Sequence, residues 1–160
     1  MDLVYMDIFK ADNKYLESYK NFLRACFTYG LVKYESALND PENYLNNIIF
    51  DSSQTSTYFC IQQGEVIGAI RCRHHTNHYI ENVIGHVGYE TKPTARGKGV
   101  AKFMLSWLQE NVLTGSIIIT CEINNLASKK VIESCGAQYI NQIYSPEKKS
   151  DVKRFLLEPA

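Results

Sequence analysis

The sequence predicts a mixed α/β (α+β) fold, and three observations carry that prediction. Short apolar runs of strand length alternate with stretches whose apolar residues recur at helical spacing. The run Ile117-Ile118-Ile119 reads as a strand buried on both faces. The glycine loop Arg96-Gly97-Lys98-Gly99 runs out of one strand-like stretch and into a helix. At 160 residues the chain fits one domain, 1–160, with a sizeable core.

Leu3 to Phe9 reads as the first strand. Asn13 to Tyr29 reads as a helix, since Leu16, Tyr19, Leu23, Cys26 and Phe27 recur on one face. Asp40-Pro41 is a helix start, with Asp as N-cap and Pro in the first turn, and that helix carries Tyr44, Leu45, Ile48 and Ile49. Thr57 to Gln62 and Glu65 to Arg73 flank Gln63-Gly64, which reads as a hairpin. Val83 to Thr91 is the next strand, and Gly99 to Val112 is an amphipathic helix. Ser116 to Ile123 is a strand, and Asn125 to Ser134 a short helix capped by its Asn and stopped by Gly136. Gln138 to Tyr144 and Val152 to Glu158 close the chain as strands. The predicted order is β-α-α-β-β-β-α-β-α-β-β. It gives one central, mixed, mostly antiparallel sheet of about seven strands with about four helices on it.

Composition narrows the partners. Formal net charge is zero, so no global field draws in nucleic acid or an acidic membrane. No apolar run approaches the ~20 residues that span a bilayer. The first residues lack the basic and apolar regions of a secretory signal. Cys26, Cys60, Cys72, Cys121 and Cys135 form no C-x-x-C pair and read as free thiols of a reducing cytoplasm.

The charge pattern of the glycine loop is inverted for an ordinary helix start. Arg96, Lys98 and Lys102 cluster there, with no carboxylate between Thr91 and Gln109. A helix N-terminus carries roughly +0.5 of an elementary charge and normally attracts Asp or Glu. Extra cations fit if a bound anion compensates them, and two glycines let that anion approach the main chain. The loop reads as a phosphate or pyrophosphate cradle. It lacks the end of a Walker loop and the third glycine of a dinucleotide fingerprint.

Arg96-Gly97-Lys98-Gly99-Val100-Ala101 matches the R/Q-x-x-G-x-G/A motif of the GNAT superfamily, the acetyl-CoA-dependent N-acetyltransferases. The resemblance extends through Gly85-His86-Val87-Gly88-Tyr89 before it and Thr120 to Ser128 after it, about Glu65 to Gly136 in all. Within the superfamily this region resembles a little-characterised bacterial subgroup of predicted acetyltransferases. The resemblance implies the GNAT fold, acetyl-CoA as cosubstrate, and a small-molecule or peptide amine as acceptor. It implies that the main chain at Tyr89 and Thr91 holds the pantetheine arm. The amides of Arg96, Gly97, Lys98, Gly99, Val100 and Ala101 would hold the pyrophosphate, and Asn125 and Ser128 would touch CoA. Asn125 reads equally well as a plain N-cap.

Amide formation from a thioester needs an amine that loses a proton and a thiolate that can leave. His86 is the candidate base, with a satisfied core histidine as the plainer reading. Glu90 is the alternative carboxylate, placed on the same strand face by two-residue alternation. Many family members place a glutamate where Gly85 stands, and a proton-donating tyrosine where Ile132 stands. Tyr139 and Tyr144 are the nearest candidates for that missing acid. The run Arg73-His74-His75-Thr76-Asn77-His78 reads as a loop near the acceptor rather than a metal site, so no metal is expected. Tyr29 and Tyr34 fall where the family's acceptor loop usually lies. A CoA-binding sensor without efficient catalysis and a nucleotide-using transferase are the rival readings, and a homodimer is compatible with all of them.

Overall fold

The computed structural model describes residues 5–160. Among these residues seven strands form two sheets, a four-stranded one in the order β1-β2-β3-β4 and a three-stranded one in the order β5-β7-β6. The chain divides into two compact units. The first runs to Arg71 and adds Tyr89–Val100, and the second comprises Cys72–Gly88 and Ala101–Ala160.

In the first unit, β1 (Met6–Lys10) pairs antiparallel with β2 (Thr55–Gln62). Leu3 and Val4 of the expected first strand lie outside the described residues. α1 (Leu16–Thr28) is preceded by a 3-10 turn at Asn13–Tyr15, which Asp12 caps by accepting the Lys14 N–H at 2.9 Å. A second 3-10 turn, Val32–Tyr34, leads into α2 (Glu35–Asn39), a short helix that the sequence pattern did not announce. α3 (Pro41–Phe50) begins as expected, with Asp40 accepting the Asn43 N–H at 3.1 Å. β3 (Glu65–Arg73) follows the hairpin turn, where Gln63 and Gly64 both take positive φ. The core of this unit gathers Tyr19, Phe22, Leu23, Leu45 and Phe59. The Tyr19 and Phe59 rings stack 4.6 Å apart.

In the second unit, β5 (Ile117–Glu122) and β6 (Gln138–Ser145) both pair antiparallel with β7 (Ser150–Leu157). α5 (Leu126–Ser134) starts at Asn125, whose Oδ1 accepts the Ser128 N–H at 3.1 Å, and Gly136 follows it at φ +83°. Met104, Leu105, Leu108, Ile119, Ile132 and Phe155 are buried here. α4 (Val100–Asn111) starts at the last residue of the first unit and continues in the second. Four of the five free cysteines are buried: Cys26 and Cys60 in the first unit, Cys72 and Cys121 in the second. Cys135 is partly exposed.

Two expectations change. The single central sheet is two sheets of four and three strands. The strand expected from Val83 begins only at Val87, as β4 (Val87–Thr91). Val83 and Ile84 belong instead to a π-helical turn, Ile80–Ile84, which the Gly85 N–H closes on the Ile80 carbonyl at 2.7 Å. Gly85 then turns the chain at φ +72°. His86 therefore precedes β4 rather than sitting mid-strand, and the alternation that would place it on the face of Glu90 does not reach it.

Candidate functional site

The glycine loop joins β4 to α4 and leaves open space over two glycines. A short 3-10 turn at Pro93–Ala95 brings the chain off β4, and the main-chain N–H of Lys92 ties it to the Ile67 carbonyl at 2.7 Å. Gly97 and Gly99 take φ +75° and +81°, a region that L side chains rarely adopt. A Cβ at either position would meet nothing within 4 Å, so the space over both residues is open. Val100 opens α4 with no acidic residue in the first turn. The first N–H groups of a helix have no intrahelical partner, so they face outward as donors. Open space, a helix start and the exposed cations Arg96 and Lys98 suit a phosphate group, whereas the Arg96 N–H is spent on the Pro93 carbonyl at 3.3 Å. Tyr89 and Thr91 lie on β4, half-buried. The Arg96 guanidinium stands over the Tyr29 ring, 5.8 Å from its centroid. In the second unit, the exposed Asn125 uses its Oδ1 as the cap of α5, leaving its side-chain amide to donate.

Glu90 is buried at the centre of an ionic cluster in the first unit. Arg71 donates to it through two parallel bonds, Nη1 to Oε2 and Nη2 to Oε1, both 2.8 Å. The Tyr34 hydroxyl donates to Oε2 at 2.8 Å, and the Lys33 ammonium pairs with Oε1. Burial opposes the charge of Glu90, but Arg71 and then Lys33 outweigh it and hold the carboxyl down at about 2. Burial, and after it the charge of Glu90, pushes the Tyr34 phenol up. A carboxylate held so acidic takes up a proton poorly at neutral pH. Arg71 and Lys33 escaped the sequence reading. The available signal was an Arg at the end of the apolar run Val66–Ile70 and a Glu within the short strand-like stretch Val87–Thr91.

His86 is bonded at both ring nitrogens. Nδ1 lies 3.0 Å from the Ile118 main-chain N–H, which can only donate. The neutral ring therefore carries its proton on Nε2, which points to the Thr76 hydroxyl at 3.1 Å. Its main chain is also engaged: the N–H donates to the Ile118 carbonyl, and the carbonyl accepts from Arg73, both at 2.7 Å. Burial pushes the pKa of His86 below its ordinary value. To act as a base, the ring must first release Ile118.

A cleft of about 290 Å³ in the second unit is lined by Arg73, His74, His75, Thr76, His86 and residues 112–117. His78 is set apart, bonded to Asn82 through its carbonyl at 2.9 Å. Among the described residues, no group of three or more His, Cys, Asp or Glu is placed to hold a metal ion. Tyr139 and Tyr144 lie exposed on β6, and Tyr139 packs edge-on against Phe155 at 5.7 Å. Ile132, at the position where the resemblance calls for a tyrosine, is fully buried.

The family described as "Acetyltransferase (GNAT) domain" matches residues 14–138. No curated protein matches the chain. Among solved structures, the ribosomal L7/L12 α-N-protein acetyltransferase RimL, in complex with coenzyme A, superposes with a TM-score of 0.74 at 12% identity over 97% of this chain and 96% of that one. The microcin C7 self-immunity acetyltransferase MccE, in complex with acetyl-CoA and AMP, gives 0.75 at 14% identity over 94% and 91%. A spermidine N-acetyltransferase SpeG chimera from Vibrio cholerae and hSSAT gives 0.73 at 16% identity over 96% and 95%. At these identities the likeness shows a shared fold.

Proposed function

The chain belongs to the GNAT acetyltransferase family, and from that premise we propose that residues 1–160 form one acetyl-CoA-dependent N-acetyltransferase domain acting on a primary amine. The observation that carries the reading is the cradle: two glycines at positive φ under open space, at a helix start rich in cations. Relatives of the same fold are solved with CoA or acetyl-CoA. On this reading the amides of residues 97–101 and the β4 main chain at Tyr89 and Thr91 bind the cosubstrate, with Asn125 and Ser128 as further contacts, while Arg96 contributes its side chain because its N–H already donates to the Pro93 carbonyl at 3.3 Å. Acetyl-CoA supplies an activated acyl group as a thioester. The deprotonated amine attacks its carbonyl carbon directly, the carbon–sulfur bond breaks, and the sulfur leaves with or without a proton. Positioning supplies much of the rate.

Proton handling falls to the less committed groups. His86 serves as base only after releasing Ile118, and Glu90 acts by holding Arg71, Lys33 and Tyr34 in place. With Ile132 in the core, a relocated acid would come from Tyr139 or Tyr144, or the thiolate leaves unaided, since a free thiol ionises near ~8.5. Ribosomal proteins and spermidine, the acceptors named for the relatives, leave both peptide and small-amine acceptors in view. Four buried free cysteines fit a reducing cytoplasm.

Calorimetric titration with acetyl-CoA tests the cradle. Gly99→Glu should abolish binding, because a side chain and a negative charge both enter the anion site, whereas Lys98→Ala should weaken it much less. Wild-type affinity in the Gly99→Glu protein would refute the reading. The doubly bonded His86 and the buried Ile132 favour one second reading, a CoA-binding sensor with little catalysis. CoA binding without thiol release across a panel of peptide and polyamine acceptors would select it.

A further inference from the structure

The segment from Tyr29 to Tyr34 joins α1 to α2 and is fastened at both ends to the chain that carries the cradle. At its far end, Lys33 and Tyr34 bond to Glu90 on β4. At its near end, Tyr29 meets Arg96 of the glycine loop ring to guanidinium. All of these residues belong to the first unit. Between the two fastenings the main chain of the segment is tied back to the end of α1. Gly30 takes φ +102°, its N–H donates to the Phe27 carbonyl at 2.9 Å, and the Leu31 N–H donates to the Cys26 carbonyl at 3.1 Å.

Tyr29 is 69% exposed, so its ring contributes little to the core. The ring lies against a cation, Arg96, and that cation opens the cradle. An arginine face laid on an aromatic ring leaves the N–H groups at its edge free, and that edge is what a phosphate recognises. A cation–π contact such as that of Arg96 on Tyr29, 5.8 Å from the centroid, and phosphate binding are therefore compatible on one guanidinium. A free arginine side chain loses rotamer entropy when it is ordered, and a ring that holds it beforehand removes part of that cost.

We propose that Tyr29 is a positioning residue for the cosubstrate: it holds the Arg96 guanidinium with its edge toward the cradle, so that phosphate binding there and order in the Tyr29–Tyr34 segment are linked. The proposal rests on the acetyl-CoA reading above. Linkage is reciprocal, so CoA on Arg96 must steady the segment as much as the segment favours CoA.

The test measures CoA affinity by calorimetry in wild type, Tyr29→Ala, Tyr29→Phe, Arg96→Ala and the Tyr29→Ala/Arg96→Ala double variant, together with amide hydrogen exchange of the 29–34 segment. An exposed cation–π contact of ~0.5–1 kcal/mol corresponds to an affinity loss of about two- to five-fold in Tyr29→Ala. Tyr29→Phe keeps the ring and should bind CoA as wild type does. In the Arg96→Ala background, Tyr29→Ala should cost nothing more. CoA should slow exchange at Gly30 and Leu31 in wild type and in Tyr29→Phe, but not in Tyr29→Ala. Unchanged affinity in Tyr29→Ala would overturn the proposal, and so would a Tyr29→Phe loss as large as that of Tyr29→Ala. A Tyr29→Ala effect that persists without Arg96 would overturn it too. Wild type that binds no CoA at all would instead sink the acetyl-CoA reading, so the two failures are distinct.

Discussion

Glu90 carries two cations and a phenol on one pair of oxygens, and that arrangement makes its charge a matter of stability. Its carboxyl titrates at about 2 in the folded chain against an ordinary value of 4.5. A depressed folded pKa stabilises the fold above the unfolded pKa, and the stabilisation is lost as pH falls toward the folded one. The window is therefore about pH 4.5 down to about 2. The shift corresponds to a contribution of ~3 kcal/mol at neutral pH. Urea unfolding followed across that window should show the loss in wild type. Glu90→Gln should be less stable at pH 7, by ~3–5 kcal/mol if Arg71 and Lys33 are left uncompensated, and should lack that part of the pH slope. An identical slope in Glu90→Gln would assign the acid sensitivity to other carboxylates. Glu90 itself stands out in the sequence as a carboxylate within a strand, but its surroundings do not. Arg71 is 19 positions away and Lys33 is 57, and only strand pairing and the α1–α2 connection bring them to it. His86 was legible in the same limited way, since the Ile118 N–H that claims its Nδ1 comes from a strand 32 positions on.

Elements whose ends are chemically marked were legible in advance. Asp40-Pro41 starts α3, Asn125 caps α5, and the isoleucine run is β5, each within a residue or two of the expectation. The glycine loop was legible for the same reason, because inverted charge at a helix start is a local pattern. The π-helical turn Ile80–Ile84 was not. Its apolar residues match the start of a strand as well as a turn, and a ring closed five residues apart has no periodic signature in so short a stretch. Gly85 settles the conformation. It takes φ +72°, and a Cβ there would stand 3.0 Å from the Thr120 main-chain nitrogen and 3.1 Å from the Ile118 carbonyl oxygen. Gly85→Ala should destabilise the protein by ~1–3 kcal/mol through backbone strain alone, with the steric clash added. Gly115→Ala, where a Cβ meets nothing within 4 Å, should stay within ~0.5 kcal/mol of wild type. Equal midpoints for the two variants in urea would show that β5 yields to the added methyl group. Two separate sheets in place of one also escaped the sequence, because a strand pattern says which face is buried and not which neighbour it bonds.

At the scale of the whole chain, zero net charge leaves the cations of the glycine loop as a local feature rather than part of a general field. No helix among the described residues is long and apolar enough to cross a membrane. The distribution of thiols has a practical consequence at this scale. Burial pushes Cys26 up to about 11 and Cys60 up to about 12, and it raises Cys72 and Cys121 as well. A thiol reagent at neutral pH should therefore find Cys135 in the folded protein and all five cysteines once the fold is lost. Mass spectrometry of the labelled chain checks this, and more than one fast label in native buffer would contradict it. Acetyl transfer is followed by the sulfhydryl it liberates, and a collapsing variant would also liberate sulfhydryls. Here that false signal has a fixed ceiling of a few equivalents per chain, so any reading beyond it is turnover. Because the hidden thiols fall two to each unit, the masses of the labelled peptides also report which unit opened first.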